Sequence, residues 1–340
     1  MTTSLRAGRA ARLRSRVITI SVLSLILACL VATALMVGET FYPPGDVIAV
    51  IAGERVPGAS YTVGELRLPR TALAVVAGAS FGVSGVVFQT MLRNQLASPD
   101  IIGISSGAGA AGVVGIVFFH LNQATVSLLA LLAALLVAAL IYALSLRSGF
   151  AGTRLILIGI GVAALLQSVV TYTLSRAAAW DLPTATRWLT GSLNAASWTW
   201  VVPVAITAGL MIPLIVVLSH RLSVMRMGDD LASALGIPVT ATRITIIIAA
   251  VALIAVATAA CGPIAFVAFM SGPIAMRLIG PGASPIAAAA LVGALLVLGA
   301  DLLGQFALGT RYPVGVITGI LGAPYLIFLL IRSQRTGGAS

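Results

Sequence analysis

HRLSVMRMGDDLASALGIPVTATR, residues 220–243, is the longest polar interval of the chain that is bounded on both sides by strongly apolar runs. Its punctuation describes one short helix between two connectors. Asp229 or Asp230 can cap the helix start, Gly236 suits a left-handed stop, and Pro238 forbids continuation. Leu231 to Leu235 supply about one and a half turns. A helix that short is marginal alone in water, so it docks on the membrane surface, on its own chain or on a cytosolic partner. The residues of the interval leave these three open, beside a plain capped connector.

Outward from this interval the chain is apolar. Hydrophobic residues make up 59% of 340 positions and charged ones only 9%, where soluble domains carry about 25% charged residues. Apolar runs near 20 residues recur, each long enough for a hydrocarbon core of about 30 Å, which predicts an all-α integral membrane protein and not a barrel. The runs begin near Val17, Arg70, Ile101, Thr125, Leu155, Thr199, Ile244, Ala265, Ser284 and Pro313. That predicts about ten transmembrane helices, the third rich in glycine and the eighth short. Residues 1–16 read as a basic cytoplasmic tail, 17–333 as one polytopic domain containing the 220–243 loop, and 334–340 as a second cytoplasmic tail.

The net charge of +11 comes from 20 basic residues, all arginine. In a polytopic chain such charge orients the loops and calls for no nucleic acid. With both termini inside, fourteen arginines, among them Arg93, Arg147, Arg226, Arg243 and Arg277, fall in the cytoplasm. Six fall outside: Arg55, Arg67, Arg70, Arg176, Arg187 and Arg311. This bias is the positive-inside pattern, and it places the 220–243 loop in the cytoplasm. Two outer segments exceed simple turns. Glu39 to Glu65 predicts a small surface helix near Val47–Ala52, and Ala177 to Trp200 holds all four tryptophans, as an element lying at a membrane interface would.

Chemistry-bearing residues are sparse. Cys29 and Cys261 lie within apolar runs and suggest neither a disulfide nor a metal site; the run around Cys29 continues to Val37, so Val17–Val37 reads as a retained helix and not a cleaved signal. His120 and His220 are far apart and form no ligand pattern. Ser105 to Ala111, with Gly159, Gly161, Gly293, Gly299, Gly319 and Gly322, predicts close helix packing. Asp301 stands out as an ionisable group within an apolar run and is a functional suspect for that reason. Gln89 and Gln167 read as interhelical hydrogen bonders or substrate contacts. No nucleophile and base pair, and no phosphate-binding loop, is apparent. The chain therefore reads as no enzyme, and any ATPase driving it is a separate chain.

Ordered motifs over residues 17–333 resemble the FecCD family, membrane subunits of ABC importers for ferric siderophores, haem and vitamin B12. They are Arg67-Leu68-Pro69-Arg70, Ala77-Gly78-Ala79, Gln89, Asn94 to Asp100, Ser106-Gly107-Ala108, Gly228 to Gly236, Gly262-Pro263-Ile264, Gly293 with Asp301, Pro313 to Val316 and Gly322-Ala323-Pro324. The resemblance implies a type II importer permease of ten helices in the bacterial inner membrane. It implies two permease subunits around a pathway, two cytosolic ATPases using ATP and Mg, an extracytoplasmic binding protein, and no cofactor on this chain. Arg226, Gly228, Asp229, Asp230, Ala232, Leu235 and Gly236 then belong to the coupling loop that meets an ATPase. Arg67, Arg70 and Arg311 would meet carboxylates on the binding protein, and Gln89, Gly161, Gln167, Asp301 and Gly319 are pathway or gating candidates. Three departures stand out: Gln95 where proline is common, Gly272-Pro273 where Pro-His is common, and Gly304-Gln305 where an arginine commonly follows the aspartate. The second favours a heterodimer over a homodimer. Ferric siderophore is the favoured cargo, with haem or vitamin B12 as the alternative. From another class, a proton-coupled secondary transporter using Asp301 is the rival.

Overall fold

A computed structural model describes residues 2–99, 103–145, 152–280 and 282–337. Asp100 and Ile101 at the expected start of the third span, Arg147, and the tail end at 338–340 lie outside the described residues. The helices follow in order as α1 Thr2–Met36, α2 Pro44–Ile51, α3 Ala59–Tyr61, α4 Leu68–Met91, α5 Ile104–Val117, α6 Gln123–Ser145 and α7 Gly152–Ser175. They continue as α8 Leu182–Thr190, α9 Trp198–Met225, α10 Asp229–Ala234, α11 Val239–Cys261, α12 Val267–Ile279, α13 Ile286–Phe306 and α14 Val314–Gly337.

Against about ten expected spans, 8 helices among the described residues are long and apolar enough to cross a membrane. The apolar helices α5 and α12 have 14 and 13 residues, about 20 Å of rise and short of the hydrocarbon core. The second span starts earlier than expected. Pro69 lacks an N–H, yet a π-helical turn at Thr62–Arg67 joins α3 to α4 and carries one continuous helix through it. The basic N-terminal stretch is helical from Thr2 and continuous with α1, because alanine and arginine are strong helix formers.

The α4 helix is the axle of the bundle. It packs on α13, α12, α11 and α9. Lipid is as apolar as leucine, so such packing is held by dispersion at close approach and not by expulsion of water. At the α4–α13 crossing a Cβ on Gly78 would lie 2.5 Å from the Gly293 carbonyl oxygen, and one on Gly293 would lie 2.1 Å from that of Gly78. No side chain fits between the two backbones. Glycines expected to pack elsewhere divide: Gly293 and Gly322 do so, whereas Gly161, Gly299 and Gly319 face open space.

Outside the bundle, Val47 of α2 joins Leu35, Ala59 and Val63 in a small satellite core. The α8 helix corrects the interfacial reading of the tryptophans in part. Trp180 is exposed, but Trp188 is buried, its indole N–H donating to Ala108 O of α5 at 3.4 Å. A buried indole needs such an acceptor, and the glycine-rich face of α5 makes room for it.

Candidate functional site

The two ends of α4 carry the polar machinery. At its C-terminal end the helix closes with the Arg93 N–H on Thr90 O and the Asn94 N–H on Gln89 O. Such a closure places a left-handed residue at its hinge, here Arg93 with φ 51 where glycine is usual. Its guanidinium donates to Met225 O at 2.8 Å, capping the last residue of α9. It also lies 3.9 Å from Asp229. Arg243 reaches the same carboxylate at 2.6 Å. Asp229 therefore does not cap α10 as expected. Gly228 occupies the N-cap, and the aspartate is drawn to two arginines of neighbouring elements.

The α10 helix itself ends as the sequence predicts. Gly236 has φ 79, its N–H bonds Ser233 O, and the next N–H, of Ile237, bonds Ala232 O. Leu235 is the C-cap and not the last helical residue. Ala232 is buried against Met225 and Val239. Met227, Leu231 and Leu235, each four residues apart, are exposed. Ala232 thus seats this short helix on the chain, while Leu231 on the helix and Met227 and Leu235 at its two ends leave apolar side chains open.

At the N-terminal end of α4, Arg67 donates to Leu35 O, Met36 O and Thr40 O at 2.9, 3.0 and 2.7 Å, stitching the end of α1. Its guanidinium also lies 5.0 Å from the Tyr42 ring centroid. Arg70 makes a two-pronged pair with Asp301 of α13, Nε and Nη2 each at 2.8 Å. The Gln305 amide adds a third donor to that carboxylate at 2.7 Å. Asp301 is only 3% exposed and the Arg70 side chain 22%. The carboxylate of α13, without an ionisable neighbour on its own helix, is thus answered across the bundle. Arg311 pairs with Glu39 on exposed ground. These groups line a cavity of about 310 Å³.

A third feature is an open face on α7. Gly161, Ala164, Gln167, Ser168, Thr171 and Ser175 are exposed at helical spacing. The hydroxyls of Ser168, Thr171 and Ser175 bond backbone carbonyls of their own helix. The α7 helix packs on α5 and α6, and α14 on α13, α12 and α8. Gly161 and Gln167 on one and Gly319 on the other are therefore borne on different helices, each without side chains over it. Gln89 is not on this face. It is 3% exposed, between α4 and α12, and donates to Phe269 O at 3.0 Å.

The FecCD transport family matches residues 25–332. The chain belongs to this family. It is 39% identical over 324 residues to the ferric enterobactin transport system permease protein FepG of Escherichia coli (strain K12), covering 94% of this chain and 98% of that protein. It is 38% identical over 317 residues to the achromobactin transport system permease protein CbrC of Dickeya dadantii (strain 3937), covering 92% and 90%. Its fold is similar to a solved inward-facing conformation of a metal-chelate type ABC transporter, with a TM-score of 0.82 and 26% identity, covering 92% of this chain and 98% of that one.

For a FecCD chain the intramolecular partners of the outer arginines are the main addition to the sequence reading. Within the chain, Arg67 gives Nη1 and Nη2 bonds to the carbonyls of Leu35, Met36 and Thr40, and Arg70 gives its Nε and Nη2 bonds to Asp301, so both arginines anchor the outer end of α4. Gln305, read as the loss of an arginine, supplies the third bond to Asp301. Arg93 escaped the sequence reading as a site residue. Its only cue was a polar turn after α4, and its partners lie 132 and more positions away.

Proposed function

We propose that this chain is the membrane-spanning permease subunit of an ATP-driven importer of the type II fold, carrying ferric siderophore and forming half of the pathway. In this reading the chain sits in the bacterial inner membrane with both termini in the cytoplasm. A second, different permease chain faces it, two ATPases bind below, and a binding protein delivers cargo outside. The relatives' names, transport system permease proteins for enterobactin and achromobactin, support the cargo class. The observation that carries the coupling role is the exposed apolar cluster of Leu231 with Met227 and Leu235 at the two ends of a short helix that Ala232 and Asp229 anchor to the chain. An apolar patch rimmed by charge suits a protein cleft.

The exposed α7 stripe has the character of a wall that faces water or the second subunit, since a polar amide such as that of Gln167 is costly against lipid. At the outer end Arg311, 65% exposed, offers first contact to the binding protein. Arg67 and Arg70 hold the platform beneath it. With Asp301 paired to Arg70, a proton-carrying role for that carboxylate loses its motive. The test is reconstitution in proteoliposomes with the partner chains. Import of a ferric siderophore that needs ATP and the binding protein, and that a proton gradient alone does not drive, is the expected result. Uptake by this chain alone on a proton gradient would overturn the proposal.

A further inference from the structure

The middle of α12 contains Pro273. A proline has no N–H, so the carbonyl four residues earlier, that of Phe269, receives no donor from it. In an apolar bundle an unanswered carbonyl is expensive. The structure supplies the donor from another helix: Nε2 of Gln89 on α4 lies 3.0 Å from Phe269 O. The amide orientation follows, because a carbonyl can only accept and only the NH₂ end of the side chain can give. The other end of the amide, Oε1, is buried with no partner. It points at Gly272, where a Cβ would fall 1.8 Å from it. Gly272, Pro273 and Gln89 thus form one fitted unit: the proline opens the carbonyl, glutamine closes it, and glycine leaves the space.

The neighbours of this unit give it a direction. Four residues beyond Gln89 along the chain, Arg93 holds Met225 O of α9 and faces Asp229 of α10. At the start of α12, Phe266 lies against Gly322 of α14, whose hypothetical Cβ would be 2.3 Å from the ring. Contacts therefore run without a gap from α10 through α4 and α12 to α14.

We infer that Gln89 is a positioning residue that fastens the proline-broken α12 to α4, so that displacement of the α10 end reaches α14; the inference rests on the importer reading above. A merely packed glutamine would affect assembly or stability, whereas a fastening glutamine affects how much cargo moves for each ATP hydrolysed. Gln89→Met keeps volume and removes the donor. Pro273→Ala returns an N–H to α12, so Phe269 O no longer depends on α4.

The experiment uses the complete complex in proteoliposomes. It reads import of whichever ferric siderophore the wild type transports best from a catecholate, hydroxamate and carboxylate panel, together with ATP hydrolysis in the same vesicles. For Gln89→Met the cargo moved per ATP falls about tenfold, the equilibrium change matching one ordinary hydrogen bond, while hydrolysis stays within about twofold, since no ATPase contact is touched. In the Pro273→Ala background the same change costs much less. An unchanged ratio for Gln89→Met overturns the inference, and so does an equal loss in both backgrounds. If Gln89→Met fails to assemble, Gly272→Ala is read instead, since its Cβ displaces the amide; a normal ratio there overturns the inference too. Failure of the wild type to import any siderophore with ATP refutes the importer reading and leaves the bond itself untouched.

Discussion

Replacing Arg70 and Asp301 by leucine, singly and together, measures whether the outer end of α4 is tied to α13 or is available to a partner. Asp301 is almost fully buried and accepts three bonds, two from Arg70 and one from Gln305. Arg70→Leu strands that carboxylate with Gln305 alone and is expected to cost about 3 kcal/mol, the lower end for a broken buried pair. Asp301→Leu strands a guanidinium that is about one-fifth exposed; water recovers part of the loss, so about 2 kcal/mol is expected. The double variant removes both charges and fills the space with apolar atoms, costing about 2 kcal/mol, which leaves the singles in excess by about 3 kcal/mol. Equilibrium unfolding by SDS titration in mixed micelles, followed by tryptophan fluorescence and by helical circular dichroism, gives all three values. If the double variant equals the sum of the singles within about 0.5 kcal/mol, the two side chains do not act on each other. Arg70 would then return to its expected place as a docking cation.

Gly236→Val places a β-branched residue at φ 79 with open space around it, so the effect is purely one of backbone strain, about 2 kcal/mol. Membrane insertion is expected to be normal and co-purification of the ATPases weakened, with Gly236→Asn close to wild type; equal behaviour of the two variants would refute the capping argument. Serine at Met227, Leu231 and Leu235 together is expected to abolish ATPase co-purification while leaving the thermal midpoint of the isolated chain within about 2 °C, because exposed positions carry little stability. Gly78→Ala drives a Cβ into the Gly293 carbonyl and is expected to lower stability by about 1–3 kcal/mol, the usual range for overpacking, read as a lower SDS midpoint.

Much of this architecture is written in local signals. The stop of α10 at Gly236 and Pro238 is legible because a left-handed residue and a missing N–H act within a few positions. The apolar runs likewise place the spans to within a turn or so, except where Pro69 looks like a helix start and is instead absorbed by a π-helical turn. What is not legible is pairing across the bundle. Arg70 and Asp301 are 231 positions apart, and Gln89 and Phe269 are 180 apart. Nothing in either neighbourhood announces the other. Gln305 reads in the sequence only as a place where an arginine is commonly found, and its bond to Asp301 one helical turn away shows only in the fold. Trp188 was misplaced for a related reason: a tryptophan-rich stretch fits an interface by composition, and only the glycine-lined surface of α5 shows where one of the rings goes.

The shortness of α5 and α12 sets where this chain can be interrupted. Surface loops of most proteins accept extra residues at little cost, because closure entropy grows slowly with length. The connector between α11 and α12 is different: the Gly262 Cα side meets Trp188 O and Gly191, and Cys261 O is bonded to the Ser192 N–H at 2.7 Å. Irregular backbone at membrane depth survives only when protein covers it. An epitope tag or protease site inserted between residues 262 and 266 should therefore behave like a wound in the core, whereas one placed near Gly309, which is open to its surroundings, should be carried silently.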